Sequence, residues 1–110
     1  MLKENLDFIS GYGVDSKGIC SLGGGSRSPL WSQIKADVCG MTVETMENPE
    51  TTTLGAVMMA ALAASIYSNA ETICGNFIKK KEQYCPNPSN AGAYAEGYMR
   101  YRELYEKLIR

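Results

Sequence analysis

The stretch Ile19-Cys20-Ser21-Leu22-Gly23-Gly24-Gly25-Ser26-Arg27-Ser28-Pro29-Leu30-Trp31 reads as a short strand, a glycine-lined turn and the start of a helix. Ile19, Cys20 and Leu22 make a small, mostly apolar run of the kind that a buried strand shows. Three successive glycines allow positive φ and leave no side chain between the main chain and a ligand. Ser28 is suited to cap the following helix, and Pro29 falls at the first helical position, where proline is best tolerated. Free amides at such a helix start, with the positive end of its dipole, make an anion site available. A strand, loop and helix of this type can hold a nucleotide phosphate.

The same pattern also occurs in α/β proteins that bind nothing there. There is no GxxxxGK[ST], so this is not a P-loop. The spacing Gly23-x-Gly25-x-x-Ser28 lacks the third glycine of a dinucleotide fingerprint, and no acidic residue about 20 positions on is clearly placed at a strand end.

Working outward, residues 1–14 place Leu2, Leu6 and Ile9 on one helical face, with Gly11 and Gly13 to end it. A chain that opens on such a helix is expected to be a piece of a longer protein. Beyond the turn, Leu30, Trp31, Ile34 and Val38 mark the inner face of an amphipathic helix; that spacing favours Trp31 in the core, with stacking on a ligand as the alternative for its indole. Gln33 and Asp37 read as solvated or capping groups. Cys39-Gly40 ends the helix, Met41–Thr45 alternates as a strand, and Asn48-Pro49-Glu50 is a turn.

The run from Leu54 to Tyr67 is apolar all round but shorter than the roughly 18 residues of a membrane span, so it is expected to be a buried helix. Its small residues (Gly55, Ala56, Ala60, Ala63, Ala64) keep it thin enough to pack behind the glycine turn. Residues 69–84 are expected to form another helix, with Ile73, Phe77 and Ile78 inward and Lys79-Lys80-Lys81 as a solvated face. After the breaker Cys85–Asn90, a last helix over 90–109 carries Tyr94, Tyr98, Tyr101, Tyr105 and Leu108 on one stripe. Arg100 and Arg102 beside those tyrosines raise RNA stacking as an alternative. Without a wider basic patch, the stripe reads as a docking face.

Composition narrows the function classes. The chain has 110 residues, 45% of them apolar, and a formal net charge of −1, so it is one domain at most and has no electrostatic case for nucleic acid or an anionic membrane. Cys20, Cys39, Cys74 and Cys85 form no CxxC pair and the chain has no histidine. Zinc is therefore not expected, and the thiols are expected to be free, in a cytoplasmic protein. The first residues do not read as a basic, apolar signal segment, so none is expected there.

Gly23-Gly24-Gly25-Ser26-Arg27-Ser28-Pro29-Leu30-Trp31-Ser32-Gln33-Ile34-Lys35-Ala36-Asp37, followed by Thr53-Leu54-Gly55-Ala56, resembles the carboxy-terminal part of the FGGY family of carbohydrate kinases, nearest the xylulose kinases. Two motifs at the expected separation, and a tyrosine-rich last helix, extend the likeness over nearly the whole chain. The resemblance implies an α/β fold: a helix-rich part of the carboxy-terminal actin-like ATPase domain over residues 1–110, with the sugar-binding amino-terminal domain upstream. It implies transfer of the γ-phosphoryl group of ATP to a sugar hydroxyl with Mg²⁺, the carboxylate base lying before residue 1 and no catalytic residue or metal ligand in this chain. By the same resemblance, Gly24, Gly25 and Ser26 lie against the α-phosphate and ribose. Pro29 occupies a position where several relatives carry an adenine-contacting asparagine, and proline cannot make that hydrogen bond. Two other readings stand beside this one: a non-catalytic module that dimerises through exposed apolar surface, or a piece of another ATP-dependent enzyme on the same fold.

Overall fold

The computed structural model describes residues 1–109. In chain order these form α1 (Leu2–Gly11), β1 (Ile19–Ser21), a 3₁₀ turn (Gly24–Arg27), α2 (Pro29–Cys39), β2 (Val43–Met46), α3 (Thr51–Ala63), α4 (Ala70–Phe77), β3 (Lys80–Tyr84), a second 3₁₀ turn (Pro88–Asn90) and α5 (Ala91–Ile109). The strands make one mixed sheet in the order β1-β2-β3. β1 runs parallel to β2, with Ile19 opposite Val43 and Ser21 opposite Thr45. β3 is antiparallel to β2, with Val43 opposite Tyr84 and a bulge at Thr45/Met46.

Alternation along β2 decides where the core sits. Val43 and Thr45 are buried on one face, in register with Ile19 and Ser21, while Glu44 and Met46 lie on the other. α2 covers the first face with small residues, Ser32, Ala36 and Cys39, which let its backbone come close to the sheet. Its ends are sharply set. Ser28 Oγ accepts the Trp31 amide at 3.2 Å, Pro29 takes the first turn, and Gly40 closes the helix in the left-handed region at φ 65°.

This packing corrects the expected inner face of α2. Leu30 and Trp31 are exposed, Ile34 and Val38 are half-buried, and the residues pressed to the sheet are the small ones. Helical spacing locates an apolar stripe, but a helix laid on a three-stranded sheet is selected for close approach, and the larger stripe turns toward α5 and α1. Of the two readings of Asp37, solvated or capping, the structure removes the first, since it is 7% exposed. Its carboxylate accepts from the Asn87 amide, Asn90 Nδ2 and Gln33 Nε2, each at 2.8 Å. The Asn87 amide in the first place, then Asn90, hold the Asp37 carboxyl below its ordinary value against the opposing effect of burial. Gln33 Nε2 also donates to the Cys85 carbonyl at 2.8 Å, so one turn of α2 fastens the segment that leads into α5.

Three further expectations change. The run Ile19, Cys20 and Leu22 is not a buried strand, because Cys20 and Leu22 are exposed and the buried residue is Ser21. Residues 69–84 do not form one helix: α4 ends at Phe77, and Lys80–Tyr84 pair with β2 as an edge strand. The lysines that masked this strand suit an edge, where charge discourages further pairing, and Lys80 pairs with Glu44 at 2.7 Å. α3 starts at Thr51 and ends at Ala63, before the expected end at Tyr67, and none of its residues is buried, with Val57 and Met59 exposed. It meets α4 and the Cys20/Met46 face of the sheet on one side, and its other faces have no counterpart among the described residues.

α5 docks through the middle of its tyrosine stripe. Tyr98 donates to Asp7 at 2.9 Å and Tyr101 to Glu4 at 3.4 Å, while Tyr101 stacks on both Tyr98 and Tyr105. Burial, then the Asp7 carboxylate, raise the Tyr98 phenol above its ordinary value. Tyr105 and Leu108 run on past the contact and are exposed. The whole is extended. Its radius of gyration is 17.7 Å, against about 13 Å for a compact chain of this length. Its surface is 7905 Å², against roughly 6,000 Å² for a compact monomer of its mass.

Candidate functional site

The turn after β1 is built around one strained glycine and two unstrained ones. Gly23 has φ 75° and ψ −169°, a region open only to glycine. Its amide donates to the Pro49 carbonyl at 3.1 Å, which ties the turn to the segment before α3. Its carbonyl accepts both the Ser26 amide at 3.1 Å and Ser26 Oγ at 2.7 Å. The Ser26 hydroxyl is thus folded back into the turn and 8% exposed.

Gly24 and Gly25 differ from Gly23. Neither has a positive φ. A Cβ on Gly24 would meet nothing within 4 Å, and one on Gly25 only the Trp31 indole, at 3.6 and 3.7 Å. As the first residues of the 3₁₀ turn, their amides have no main-chain acceptor among the described residues. The chain's own packing therefore does not require glycine at either position. What the pair offers is an exposed main-chain surface without side chains at the end of a strand and the start of α2.

Around this surface, Ser28 is occupied in capping α2 and Pro29 is exposed but offers no donor. Lys35 reaches back along α2 to donate to the Ser21 hydroxyl at the end of β1. Arg27 and Glu50 face each other across the turn, Nη2 to Oε1 at 2.6 Å, with side chains 63% and 64% exposed. Of the residues singled out in the sequence, Gly24, Gly25, Ser26 and Pro29 are brought together here. Arg27 and Glu50 were missed, because a pair 23 positions apart leaves no signal until the Gly23–Pro49 contact joins the two segments.

Two apolar cavities flank the turn. One, of about 520 Å³, lies between α1, α2 and α5 and is lined by Trp31, Ile34, Val38, Tyr94, Tyr98 and Tyr101 among others. The second, of about 380 Å³, lies between α3 and the sheet, against Cys20, Leu22, Met46, Leu54, Met58 and Phe77. Among the described residues, no three His, Cys, Asp or Glu gather to hold a metal ion, all four cysteines are free, and no helix is long and apolar enough to cross a membrane.

Known proteins share this arrangement. Residues 2–64 match the family described as the FGGY family of carbohydrate kinases, C-terminal domain. The autoinducer-2 kinase of Salmonella paratyphi B is 31% identical over 103 residues, which is 93% of this chain and 19% of that protein. The xylulose kinase of Staphylococcus epidermidis is 27% identical over 106 residues, 96% of this chain and 21% of that one. Among solved structures, the xylulose kinase from Lactobacillus acidophilus superposes with a TM-score of 0.74 at 26% identity, over 87% of this chain and 19% of that one. The xylulose kinase from Rhodospirillum rubrum superposes at 0.77 over 97% of this chain and 22% of that one. The chain thus spans about a fifth of the length of these relatives. Its helix-rich α/β architecture, with a small mixed sheet, is part of the actin-like ATPase fold of those kinases. With the glycine turn and both helices beside it inside the matched span, this chain belongs to the FGGY family of carbohydrate kinases, through its C-terminal domain.

Proposed function

We propose that this chain is the adenine-nucleotide-binding carboxy-terminal part of an ATP-dependent sugar kinase, inactive when alone. The observation that carries the reading is the Gly24–Gly25 pair. Two glycines whose conformation and surroundings would accept a side chain are explained by something that must approach the main chain there. A diphosphate fits that description, since the free amides at Gly24 and Gly25 supply donors and the start of α2 a positive dipole end. Gly24 and Gly25 then meet the α-phosphate. Ser26 contributes by holding the turn's shape, and Pro29 borders the nucleoside without a hydrogen bond.

Residues 1–110 are read as one part of the ATP-binding domain, with the sugar-binding domain and the carboxylate base supplied by the remainder of a kinase of family length. ATP supplies the phosphoryl group for a xylulose-like sugar hydroxyl. Because no acidic cluster in the described residues suits a cation, Mg²⁺ would arrive on the nucleotide's phosphates and on groups outside this chain. What these residues do is bind and orient, which is where phosphoryl transfer draws most of its rate. A cytoplasmic site of action suits the free thiols and the nucleotide.

One observation favours a second reading. The surface in excess of a compact monomer, with no residue of α3 fully buried, suits a chain that is covered by other protein. The remainder of the kinase fills that role in the first reading; a homodimer of this chain fills it in the second. Calorimetric titration of the 110-residue chain with ADP separates them. Saturable heat at millimolar ADP supports the nucleotide reading. A heatless titration, together with a dimeric mass in solution, overturns it in favour of the interaction module.

A further inference from the structure

The cavity between α1, α2 and α5 lies on the side of α2 away from the proposed nucleoside. Pro29 borders the nucleoside in that reading, whereas Trp31, which lines the cavity, projects about 200° around the helix from it. The space of about 520 Å³ is within the range of small-molecule sites. Trp31, Ile34 and Val38 of α2 and Tyr94 and Tyr98 of α5 make apolar walls, and burial pushes the Cys39 thiol beside them above its ordinary value. Two residues in those walls do not serve the fold. Gly97 stands inside α5, where glycine is less favourable than alanine. A Cβ there would meet nothing within 4 Å, so no neighbour requires its absence. Lys35 is half-buried, yet it has no carboxylate partner among the described residues. A lysine drawn out of water is ordinarily paired. Its ammonium donates to the neutral Ser21 hydroxyl, which leaves it further donors to give.

We propose that this cavity binds a small amphiphilic acid of the fatty-acid type, its apolar body between α2 and α5 and its carboxylate on the Lys35 ammonium. Charge complementarity selects that occupant over a neutral or cationic one, because the lining carries Lys3 and Lys35 and no aspartate or glutamate. The carboxylates of α1 are engaged elsewhere: Asp7 accepts from Tyr98 and pairs with Lys3 at 3.6 Å, and Glu4 accepts from Tyr101. Lys3 also lies over the Tyr98 ring at 5.4 Å, so Lys35 is the anchor. Protein interiors pack to the density of organic crystals, so an apolar space of this size beside Gly97 suits a ligand's apolar body. A sugar or a phosphate has no such body to place there. The site draws on none of the residues assigned to the nucleotide, and the two readings stand or fall separately.

Decanoate below its micelle range is the probe, added to the full 110-residue chain and read by Trp31 emission and calorimetry. Decyltrimethylammonium is the charge-reversed control. Wild type is expected to bind decanoate saturably, about tenfold or more tighter than the cation. Lys35→Met keeps an apolar stem and removes the charge, so it is expected to weaken decanoate about tenfold and erase that preference. Lys35→Arg is expected to restore it. Gly97→Leu puts a side chain into the space and is expected to weaken both probes; if that variant does not fold, Lys35→Met still decides. Equal affinity for the two probes in wild type, or decanoate binding unchanged in Lys35→Met, would mean adhesion to exposed apolar surface and overturn the proposal. Trp31 emission indifferent to decanoate would overturn it too, and a dimeric mass beside that result would give the cavity to a second copy of the chain.

Discussion

Replacing Gly24 with alanine should separate fold from function, and replacing Gly23 with alanine should do the reverse. At Gly24 the backbone has no positive φ and an added methyl would meet no atom within 4 Å. Removing a glycine from such a site restricts the unfolded chain and stabilises by about 0.4–1 kcal/mol. The same methyl projects onto the surface proposed for the α-phosphate, so ADP binding should fall by about tenfold or more, equivalent to about 1.4 kcal/mol. At Gly23, φ 75° with ψ −169° lies where only glycine is comfortable, and alanine should cost about 1–3 kcal/mol. Urea unfolding of the two variants, followed by the single tryptophan, Trp31, gives the stabilities. Calorimetry with ADP gives the affinities. Gly24→Ala binding ADP as wild type does, or unfolding more easily than wild type by over about 1 kcal/mol, would refute the idea that this glycine is kept free for a ligand.

Other outcomes follow from the same structure. Ser28→Ala removes the cap on the Trp31 amide and should cost about 1 kcal/mol in urea unfolding, with the helix content of the native state retained. Asp37 has a depressed pKa in the fold, so its contribution is complete above the unfolded value of about 3.9 and is lost as pH falls through the lower folded value. The gap in urea midpoint between wild type and Asp37→Asn should therefore close between about pH 4 and more acidic solution, and a gap that stays constant there would contradict the assignment. Pro29→Asn should tighten ADP several-fold without changing pyrophosphate binding, if a side-chain amide at that position reaches adenine as the family resemblance implies. A calorimetric comparison of the two ligands decides it.

Much of this was legible in the sequence where local chemistry decides the conformation. Ser28 and Pro29 at the start of α2, Gly40 at its end and the Asn48-Pro49-Glu50 turn are short-range signals, and each appears where the residues require. The element that escaped was β3. Lys80–Tyr84 has neither apolar alternation nor a turn signature of its own, and it is a strand because β2 presents an edge to pair with. The inner face of α2 was misread for a related reason: Trp31 and Leu30 carry the strong apolar signal, but proximity to a sheet favours Ser32 and Ala36. α3 was expected to be buried because it is apolar all round; among the described residues no element covers its outer faces. The glycine turn could be located from the sequence, and the individual roles of its three glycines could not. Only the backbone angles separate Gly23, which the fold requires, from Gly24 and Gly25, which it does not.

Amide chemical shifts of the isotopically labelled chain, followed through an ADP titration, test the central claim at single-residue resolution. The Gly24 and Gly25 resonances should move the most and saturate on one common curve. Shifts confined to the apolar faces of α3 or α5, with both glycines stationary at saturating ADP, would contradict it.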